Sequence, residues 1–316
     1  MTNTQNSKSI WTITPIMVIT AIFCCVLWGS ASPAIKIAYE VFKIDASDTA
    51  SRLMLAGARF MLAGVMTVVF GSLISKKALI PQKSSWKYIA ILSLFQTIGQ
   101  YYFFFMSLAN TSGVKGSIIN ASGNFFAPMF ALFLFRLEKP SVKKLIGCAL
   151  GFAGIIMFFG GMGAITSGAP ITFKGEGAML CAAFFYAVSG CCIKIFSKYE
   201  NPVILSGYQF ALGGAVLFAI GLLSGGNLIF YSSGCYLNLI YMGFISAGAY
   251  TLWGVLLKYN PVSKVSVLGF VNPIMGVVLS ALFLGEGQEA FSVLSLISLL
   301  LVSLGIVIVN YRKLEK

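Results

Sequence analysis

The sequence contains no histidine, and only 9 of its 316 residues are acidic. Without histidine the chain cannot supply the base of a serine-type intramembrane protease. Both aspartates, Asp45 and Asp48, lie in one polar segment, which argues against an aspartyl-type protease. No glycine-rich stretch follows the phosphate-loop pattern, so ATP-driven transport is not indicated either. We therefore expect no catalytic residues, no metal site and no cofactor.

Charge of either sign is scarce, because charged residues make up 10% of the chain and hydrophobic residues 58%. A soluble domain carries about 25% charged residues, so this composition predicts an integral membrane protein without a separate soluble domain. The net charge of +13 is spread over short polar segments and forms no basic arm, which argues against nucleic-acid binding. The expected partners are the lipid bilayer and a small-molecule substrate, with the protein a monomer or a homodimer.

Apolar stretches of about 20 residues recur along the chain, and that length suits a hydrocarbon core of about 30 Å. We predict an all-α membrane protein with ten transmembrane helices, at residues 13–35, 53–74, 88–109, 114–135, 145–163, 177–196, 203–224, 236–257, 263–284 and 292–310. The first stretch is too long for the apolar core of a signal peptide and no cleavage motif follows it, so we expect it to be retained.

The distribution of lysine and arginine predicts how these helices are oriented. With the N-terminus in the cytoplasm, sixteen basic residues fall in inner segments and five in outer segments, while Arg59 remains inside a span. Because cytoplasmic loops of membrane proteins are enriched in Lys and Arg, both termini should be cytoplasmic. We expect a multi-pass protein of the cell membrane with a cytoplasmic tail at residues 1–12.

Segments of the first half of the chain recur in the second half, about 150 residues later. The clearest matches are "CVLWGSASPAIKIAY" (25–39) with the region near "FYAVSGCCIKIFSKY" (185–199), "GARFMLAGV" (57–65) with "GYQFALGGA" (207–215), "SGVKGS" (112–117) with "PVSKVS" (261–266), and "LFRLEK" (134–139) with "LFLGEG" (282–287). The alignment pairs Trp28 with Tyr186 and Arg59 with Gln209.

Each predicted repeat, at residues 13–163 and 175–311, contains five helices. Because five is odd, the second repeat must enter the membrane upside down relative to the first. This inversion gives a pseudo-two-fold axis in the membrane plane. Many secondary transporters have this arrangement, with the substrate site near mid-membrane between the repeats.

The duplication and several motifs resemble the EamA branch of the drug/metabolite transporter superfamily. The motifs are "WGSASPAIK" (28–36), "GARF" (57–60), "SLANTSGVKGSIIN" (107–120) and "NPIMGVVLSALFLGE" (272–286). The counterpart of the last motif, "FFAPMFALFLFRLEK" (125–139), departs from the family pattern, because Pro128 comes about three residues late and Arg136-Leu137 replaces Leu-Gly. The resemblance implies a ten-helix protein that exports or exchanges small organic solutes, amino acids among them.

Three prolines lie inside predicted spans, at Pro33, Pro128 and Pro273. A proline removes one helical hydrogen bond and clashes with the preceding turn, and in lipid the freed carbonyl needs protein or water beside it. We predict that these three spans break and bend around a central cavity. Ordinary kinked packing between helices is the alternative.

Polar and aromatic side chains inside the spans are candidate substrate-binding residues, because hydrocarbon penalises polar groups. The candidates are Trp28, Gln96, Gln100, Asn120, Asn124, Tyr186, Ser189, Tyr250, Trp253, Asn272 and Arg59. Residues four apart share a helical face, as Gln96 and Gln100 should. Such a set would form an aromatic and amide-walled cavity for an amphipathic or aromatic solute. Hydrogen bonding between helices is the alternative role, and Arg59 has the further alternatives of binding carbonyls or reaching the outer surface.

The cores of the spans contain no aspartate, glutamate or histidine that would relay protons. This favours a facilitated exporter or exchanger over a proton antiporter. We therefore predict a secondary transporter that works by alternating access around a mid-membrane cavity. A channel and a receptor or structural membrane protein are the alternatives.

Overall fold

The computed structural model describes residues 9–45, 47–137, 139, 142, 146–147, 149–150, 153–154, 172–269, 271–285 and 293–310. All the regular elements within these residues are helical. The principal α-helices are α1 (Thr14–Gly29), α2 (Ala31–Val41), α3 (Thr49–Ser75), α4 (Trp86–Leu92), α5 (Gln100–Asn110), α6 (Gly113–Asn120), α7 (Gly123–Met129), α8 (Ala178–Phe196), α9 (Pro202–Leu223), α10 (Ser233–Tyr259), α11 (Val262–Leu268), α12 (Val271–Leu284) and α13 (Val293–Asn310). Three π-helical segments adjoin them, at Ser93–Gly99, Phe130–Leu134 and Phe173–Gly177.

Six helical segments of the described chain are long and apolar enough to cross a bilayer, as expected of an integral membrane protein. They are Thr14–Val41, Thr49–Ser75, Lys83–Asn110, Phe173–Phe196, Pro202–Leu223 and Ser233–Tyr259. Each overlaps one predicted span. The predicted spans at 114–135, 263–284 and 292–310 contain shorter helices, α6 with α7, α11 with α12, and α13. Most of the predicted span at 145–163 and most of the predicted N-terminal tail fall outside the described residues. The last six residues of the chain fall outside them as well.

The first membrane-crossing segment is interrupted at Ser30, between α1 and α2. Pro33 is the third residue of α2, where a missing N–H costs no helical hydrogen bond. In a continuous helix the proline ring would instead press against the carbonyl of Gly29. The Ser30 hydroxyl donates to the Leu27 carbonyl at 2.7 Å, which satisfies one carbonyl at the end of α1. The interruption therefore precedes the proline that requires it.

The spans of the other two prolines are interrupted as well, between α6 and α7 and between α11 and α12. Pro273 is the third residue of α12, the place that Pro33 has in α2. Pro128 instead lies inside α7 and is followed by the π-helical Phe130–Leu134, so the helix does not end at this proline.

Helices α3 and α9 run antiparallel and pack closely along their length. Gly57 lies against Gly214, and Gly64 lies against Gly207. A Cβ atom built on Gly57 would lie 2.3 Å from the backbone nitrogen of Phe218, which is closer than any side chain permits. Small residues of this kind let two membrane helices approach backbone to backbone. The sequence alignment pairs Gly57 with Gly207 and Gly64 with Gly214. In the structure each glycine instead contacts the other pair's member, because Gly57 meets Gly214 and Gly64 meets Gly207.

In two cases, aromatic residues that the sequence alignment places at equivalent positions also contact each other in the structure. Phe60 and Phe210 stack with ring centroids 5.3 Å apart. Trp28 and Tyr186 meet edge to face at 6.1 Å. Each pair joins the first half of the chain to the second half.

Two buried hydrogen bonds connect the halves in a reciprocal way. Arg59 Nε donates to Ser246 Oγ at 3.0 Å. Gln209, which aligns with Arg59, accepts at Oε1 from Thr97 Oγ1 at 2.6 Å. Helix α3 therefore contacts α10 through the side chain of Arg59. In the same way, α9 contacts the π-helical segment between α4 and α5 through the side chain of Gln209.

Glu200 connects the segment before α4 to the start of α9. Its carboxylate accepts hydrogen bonds from Ser85 Oγ at 2.7 Å, from Gln82 N at 3.2 Å and from Asn201 N at 2.8 Å. Partial burial acts to raise the pKa of Glu200, but these hydrogen bonds and the positive charge of Lys258 together outweigh it and hold the pKa below its ordinary value. The contact ties together the two halves outside the membrane-crossing helices.

Candidate functional site

A small cavity lies where the three interrupted segments meet α5, α8 and α10. It is lined by Trp28, Ala31, Ser32, Gln100, Tyr101, Phe104, Asn120, Asn124, Tyr186, Tyr250 and Asn272. These side chains come from both halves of the chain. The volume of about 40 Å³ suits one or two water molecules. Sites for drug-sized ligands measure roughly 300–1,000 Å³, so the cavity in this conformation is too small for a metabolite.

The structure brings together seven of the eleven side chains that the sequence marks as candidates. The seven are Trp28, Gln100, Asn120, Asn124, Tyr186, Tyr250 and Asn272. They are separated by up to 244 positions in the chain, and the crossing of the interrupted segments with α5, α8 and α10 places them on one surface. Asn120 is the last residue of α6 and Asn272 the second of α12, so the interruptions themselves present these two amides.

Trp28 is the centre of an aromatic cluster on the cavity. Its ring meets Tyr186 at 6.1 Å and Tyr250 at 5.0 Å, both edge to face. Trp253 packs against the same ring at 4.9 Å but does not line the cavity. Aromatic pairs in such geometries contribute about 0.5–1.5 kcal/mol each beyond the burial of their surface. The predicted candidate Trp253 therefore supports the wall from behind.

Tyr250 also organises the polar side of the cavity. Its Oη accepts a hydrogen bond from Gln100 Nε2 at 2.8 Å and shares a second one with Tyr101 Oη at 2.7 Å. At the interruptions, Asn124 Nδ2 donates to the carbonyl of Gly269 at 3.4 Å. The lining thus offers amide and phenol groups that donate and accept hydrogen bonds. Every one of these lining side chains is uncharged.

Two further candidates, Gln96 and Ser189, lie off the cavity. Ser189 Oγ donates to the carbonyl of Tyr186 within its own helix, at 2.8 Å. Gln96 is buried in the π-helical segment, and its Oε1 has no hydrogen-bond partner among the described residues. A helical turn rises about 5.4 Å, and Gln96 lies about one turn from Gln100, beyond the reach of a cavity this small.

Arg59, the remaining candidate, is fully buried and stands next to the cavity wall rather than on it. Its guanidinium lies over two aromatic rings, with Cζ 5.1 Å from the centroid of Phe60 and 5.5 Å from that of Tyr101. Tyr101 itself lines the cavity. One aromatic side chain therefore touches both the cation and the cavity.

Four lining residues were not among the candidates predicted from the sequence: Ala31, Ser32, Tyr101 and Phe104. Tyr101 precedes Tyr250 by 149 residues, so extending the internal alignment through α5 and α10 would have found it. Ala31 and Ser32 belong to the run of small residues before Pro33, where a small side chain allows the close approach of either a neighbouring helix or a solute and does not distinguish the two. Phe104 lies in the aromatic run "YYFFF" (101–105), where no periodicity separates lining from core.

Within the described part of the chain, no cluster of three or more His, Cys, Asp or Glu side chains has the arrangement to hold a metal ion. The hydrogen-bonding groups of the cavity are amides and phenols, which suit the polar ends of an organic solute better than a metal.

Comparison with known proteins identifies relatives that match most of the chain. It is 28% identical over 294 residues to a chloroplastic WAT1-related protein of Arabidopsis thaliana, covering 90% of this chain and 67% of that one. It is 26% identical over 282 residues to a probable amino-acid metabolite efflux pump of Salmonella typhimurium, covering 84% of this chain and 86% of the other.

One comparison bears on the fold and another on the family. A crystal structure of another protein matches with a TM-score of 0.67 at 18% sequence identity, over 96% of this chain and 98% of that one, which shows a shared fold. The model of the EamA-like transporter family matches twice, at residues 15–160 and 173–311. The chain therefore belongs to the EamA-like transporter family.

Proposed function

We propose that this protein is a secondary transporter that moves small organic solutes across the cell membrane by alternating access. The observation that carries the proposal is the central cavity, whose walls come from both family-matched regions and from all three helix interruptions. A site between two halves of a membrane protein can be exposed to one side and then the other when the halves rock. The uncharged lining is suited to a solute that enters and leaves readily.

The proposal includes ten transmembrane helices arranged as two inverted five-helix repeats, 13–163 and 175–311. The two family matches support the duplication. The antiparallel packing of α3 and α9, with crosswise contact of aligned glycines, supports the inversion. In a two-fold arrangement, equivalent residues near the axis contact each other and other contacts occur in exchanged pairs. Phe60 and Phe210 are equivalent residues that contact each other.

The rings and amides on the cavity favour amino acids or similar metabolites as substrates. Tyrosine and tryptophan rings bind an apolar body, and side-chain amides bind polar ends. The name of the Salmonella relative, an amino-acid metabolite efflux pump, points the same way. Because the lining carries no carboxylate that would take up protons, export or exchange driven by the solute gradient is the favoured mode.

Loading requires the cavity to expand, since about 40 Å³ does not hold an amino acid. We assign this expansion to rotation about the interruptions beside Pro33, Pro128 and Pro273. Helix ends that already lack continuous hydrogen bonds absorb a change of backbone angles more easily than helix interiors. The interruptions would then act as hinges as well as presenting cavity residues.

Counterflow in proteoliposomes tests the proposal. Purified protein is reconstituted, the vesicles are loaded with a panel of unlabelled metabolites, and uptake of the labelled solute is measured. Alternating access predicts saturable uptake that accelerates when the same solute is present inside. Uptake that rises linearly with concentration and ignores the internal solute would identify a channel and reject the carrier mechanism.

We also propose that both termini face the cytoplasm, as the excess of basic residues in the inner segments favours. Tags at the two ends, probed with a membrane-impermeant protease in intact cells and in lysed cells, test this orientation. Tags on opposite faces would contradict both the orientation and an even number of transmembrane helices.

A further inference from the structure

Arg59 is a buried cation whose charged end is not fully hydrogen-bonded. It is the eleventh of the 27 residues of α3, so it lies about 15 Å from the start of the helix. Its Nε donates to Ser246 Oγ, whereas neither Nη1 nor Nη2 has a hydrogen-bond partner among the described residues. Two terminal nitrogens of a guanidinium are the groups that grip a carboxylate with two parallel hydrogen bonds.

Among the described residues, no carboxylate hydrogen-bonds the Arg59 guanidinium. The acidic residues there lie near helix ends or between helices, and are Glu40, Asp45, Asp48, Glu176 and Glu200. An ionised group buried in a membrane protein without a counter-charge is costly, and such residues mark binding or transport sites by default. The contacts with two aromatic rings reduce this cost but do not replace a bidentate anion.

The phenol pair Tyr101–Tyr250 links Arg59 to the cavity. Tyr101 presents its ring to the guanidinium and its hydroxyl to Tyr250, at 2.7 Å, and both tyrosines line the cavity. If this hydrogen bond opens and the Tyr101 ring turns, the wall between cavity and guanidinium is removed. The aligned position in the second half is Gln209, which is neutral, so the cation is present on one side only.

We propose that Arg59 binds the carboxylate of the transported solute through Nη1 and Nη2 once the Tyr101–Tyr250 hydrogen bond has opened. The inference rests on the proposed transport function and names its substrate class: solutes with one carboxylate and an apolar or aromatic body. The carboxylate replaces water and ring contacts around the guanidinium, while the aromatic cluster at Trp28 holds the body. A purely structural Arg59, bridging to Ser246, would give no preference for acids.

The first experiment needs no variant. Proteoliposomes containing the parent protein are tested for counterflow with leucine, phenylalanine and tyrosine, and each flux is challenged with the N-acetyl acid and with the carboxamide. The N-acetyl acids keep the carboxylate and lose the ammonium, whereas the carboxamides do the reverse. We expect the N-acetyl acids to compete at least about tenfold better than the carboxamides, the effect of one good charge-assisted contact.

Variants then assign the preference to Arg59. Arg59→Gln should reduce the preference for acids to near parity, whereas Arg59→Lys should keep part of it. The matched control is Arg52→Gln, on the same helix. Arg52 is also buried, but its Nη2 donates to the backbone carbonyl of Asp45 at 2.7 Å, and it does not line the cavity. The control should keep the full preference.

Three outcomes overturn the inference while leaving transport intact. One is equal competition by N-acetyl acids and carboxamides in the parent protein. The second is a flux indifferent to the solute's carboxylate but lost when isethionate replaces chloride, which would assign the place beside Arg59 to an inorganic anion. The third is counterflow of solutes that carry no carboxylate and of none that does. Failure of the proposed function looks different, since no metabolite of the wider panel would then show counterflow.

Discussion

The phenol oxygens of Tyr101 and Tyr250 lie 2.7 Å apart, although the two residues are 149 positions apart in the chain. Tyr101 belongs to α5 in the first half of the chain and Tyr250 to α10 in the second half, and the pair closes one wall of the cavity. In the proposed arrangement of two inverted repeats, a contact of this kind is expected beside the two-fold axis. The wall of the site is therefore also a junction between the halves.

Tyr250→Phe should lower transport more than Tyr101→Phe does. The Tyr250 hydroxyl serves both Gln100 and Tyr101, so its loss leaves two buried polar groups without this partner, at roughly 1–3 kcal/mol each. Counterflow rates and melting temperatures in detergent measure the two effects. Tyr208→Phe is the control, because its hydroxyl donates to the Leu79 carbonyl away from the cavity. Parental transport by Tyr250→Phe would remove this residue from the proposed site.

Asn120→Leu should reduce transport while the amount of protein in the membrane stays near the parental level. Asn120 ends α6 at the cavity and is half-buried, so leucine replaces a hydrogen-bonding group without a large change of volume. Counterflow normalised to protein content is the measurement. Asn110→Leu is the matched control, since that exposed amide donates to the Met106 carbonyl of its own helix. Equal losses in both variants would indicate a general effect on folding.

Gly57→Ala and Gly214→Ala should each destabilise the protein by about 1–3 kcal/mol, because a methyl group at either position would overlap the backbone of the facing helix. Gly190→Ala is the control within α8, where a built Cβ meets nothing within 4 Å. There the substitution should be neutral or stabilise the helix by about 0.5–1 kcal/mol. Thermal unfolding in detergent compares the three variants, and similar melting temperatures would contradict the close packing of α3 and α9.

Glu200→Gln should lower stability near neutral pH and have a smaller effect in acid. The folded protein lowers the pKa of Glu200 from its ordinary 4.5, so the ionised carboxylate contributes stability above that pH. The contribution is lost as the pH falls through the lowered folded pKa, where the parent becomes protonated and resembles the variant. Melting temperatures at pH 7 and at successively lower pH give the difference. A difference that stays constant with pH would contradict the role of the charge.

The membrane-spanning character and most of the cavity could be predicted from the sequence. Polar side chains inside apolar stretches can be recognised from the sequence alone, because hydrocarbon penalises them. This applies to Asn124, Asn272 and Tyr250. The interruption before Pro33 was likewise signalled by proline, since the clash with the preceding turn is a local effect. Pro128 lies six residues after the interruption at Ser122, so the same clash does not account for that one. The interruption at Ser30 lies three residues before Pro33, as this local clash requires.

Which polar side chains reach the cavity could not be predicted, because this depends on how far the cavity extends. Gln96 has the same chemistry as Gln100 and the expected spacing, yet it lies about one turn beyond the lining. Ser189 bonds to its own helix, an option that serine always has and that spacing does not reveal. Tyr101 lies in an aromatic run that carries no period, so helical spacing does not single it out. The alignment of the two halves, extended through α5 and α10, is the sequence signal that pairs it with Tyr250.

The small volume of the central cavity also determines whether solutes can leak through the protein. With space for only about one or two water molecules, this conformation gives amino-acid-sized molecules no room to pass. In the transport role proposed above, many copies can then be present in the membrane without opening a path through which metabolites leak.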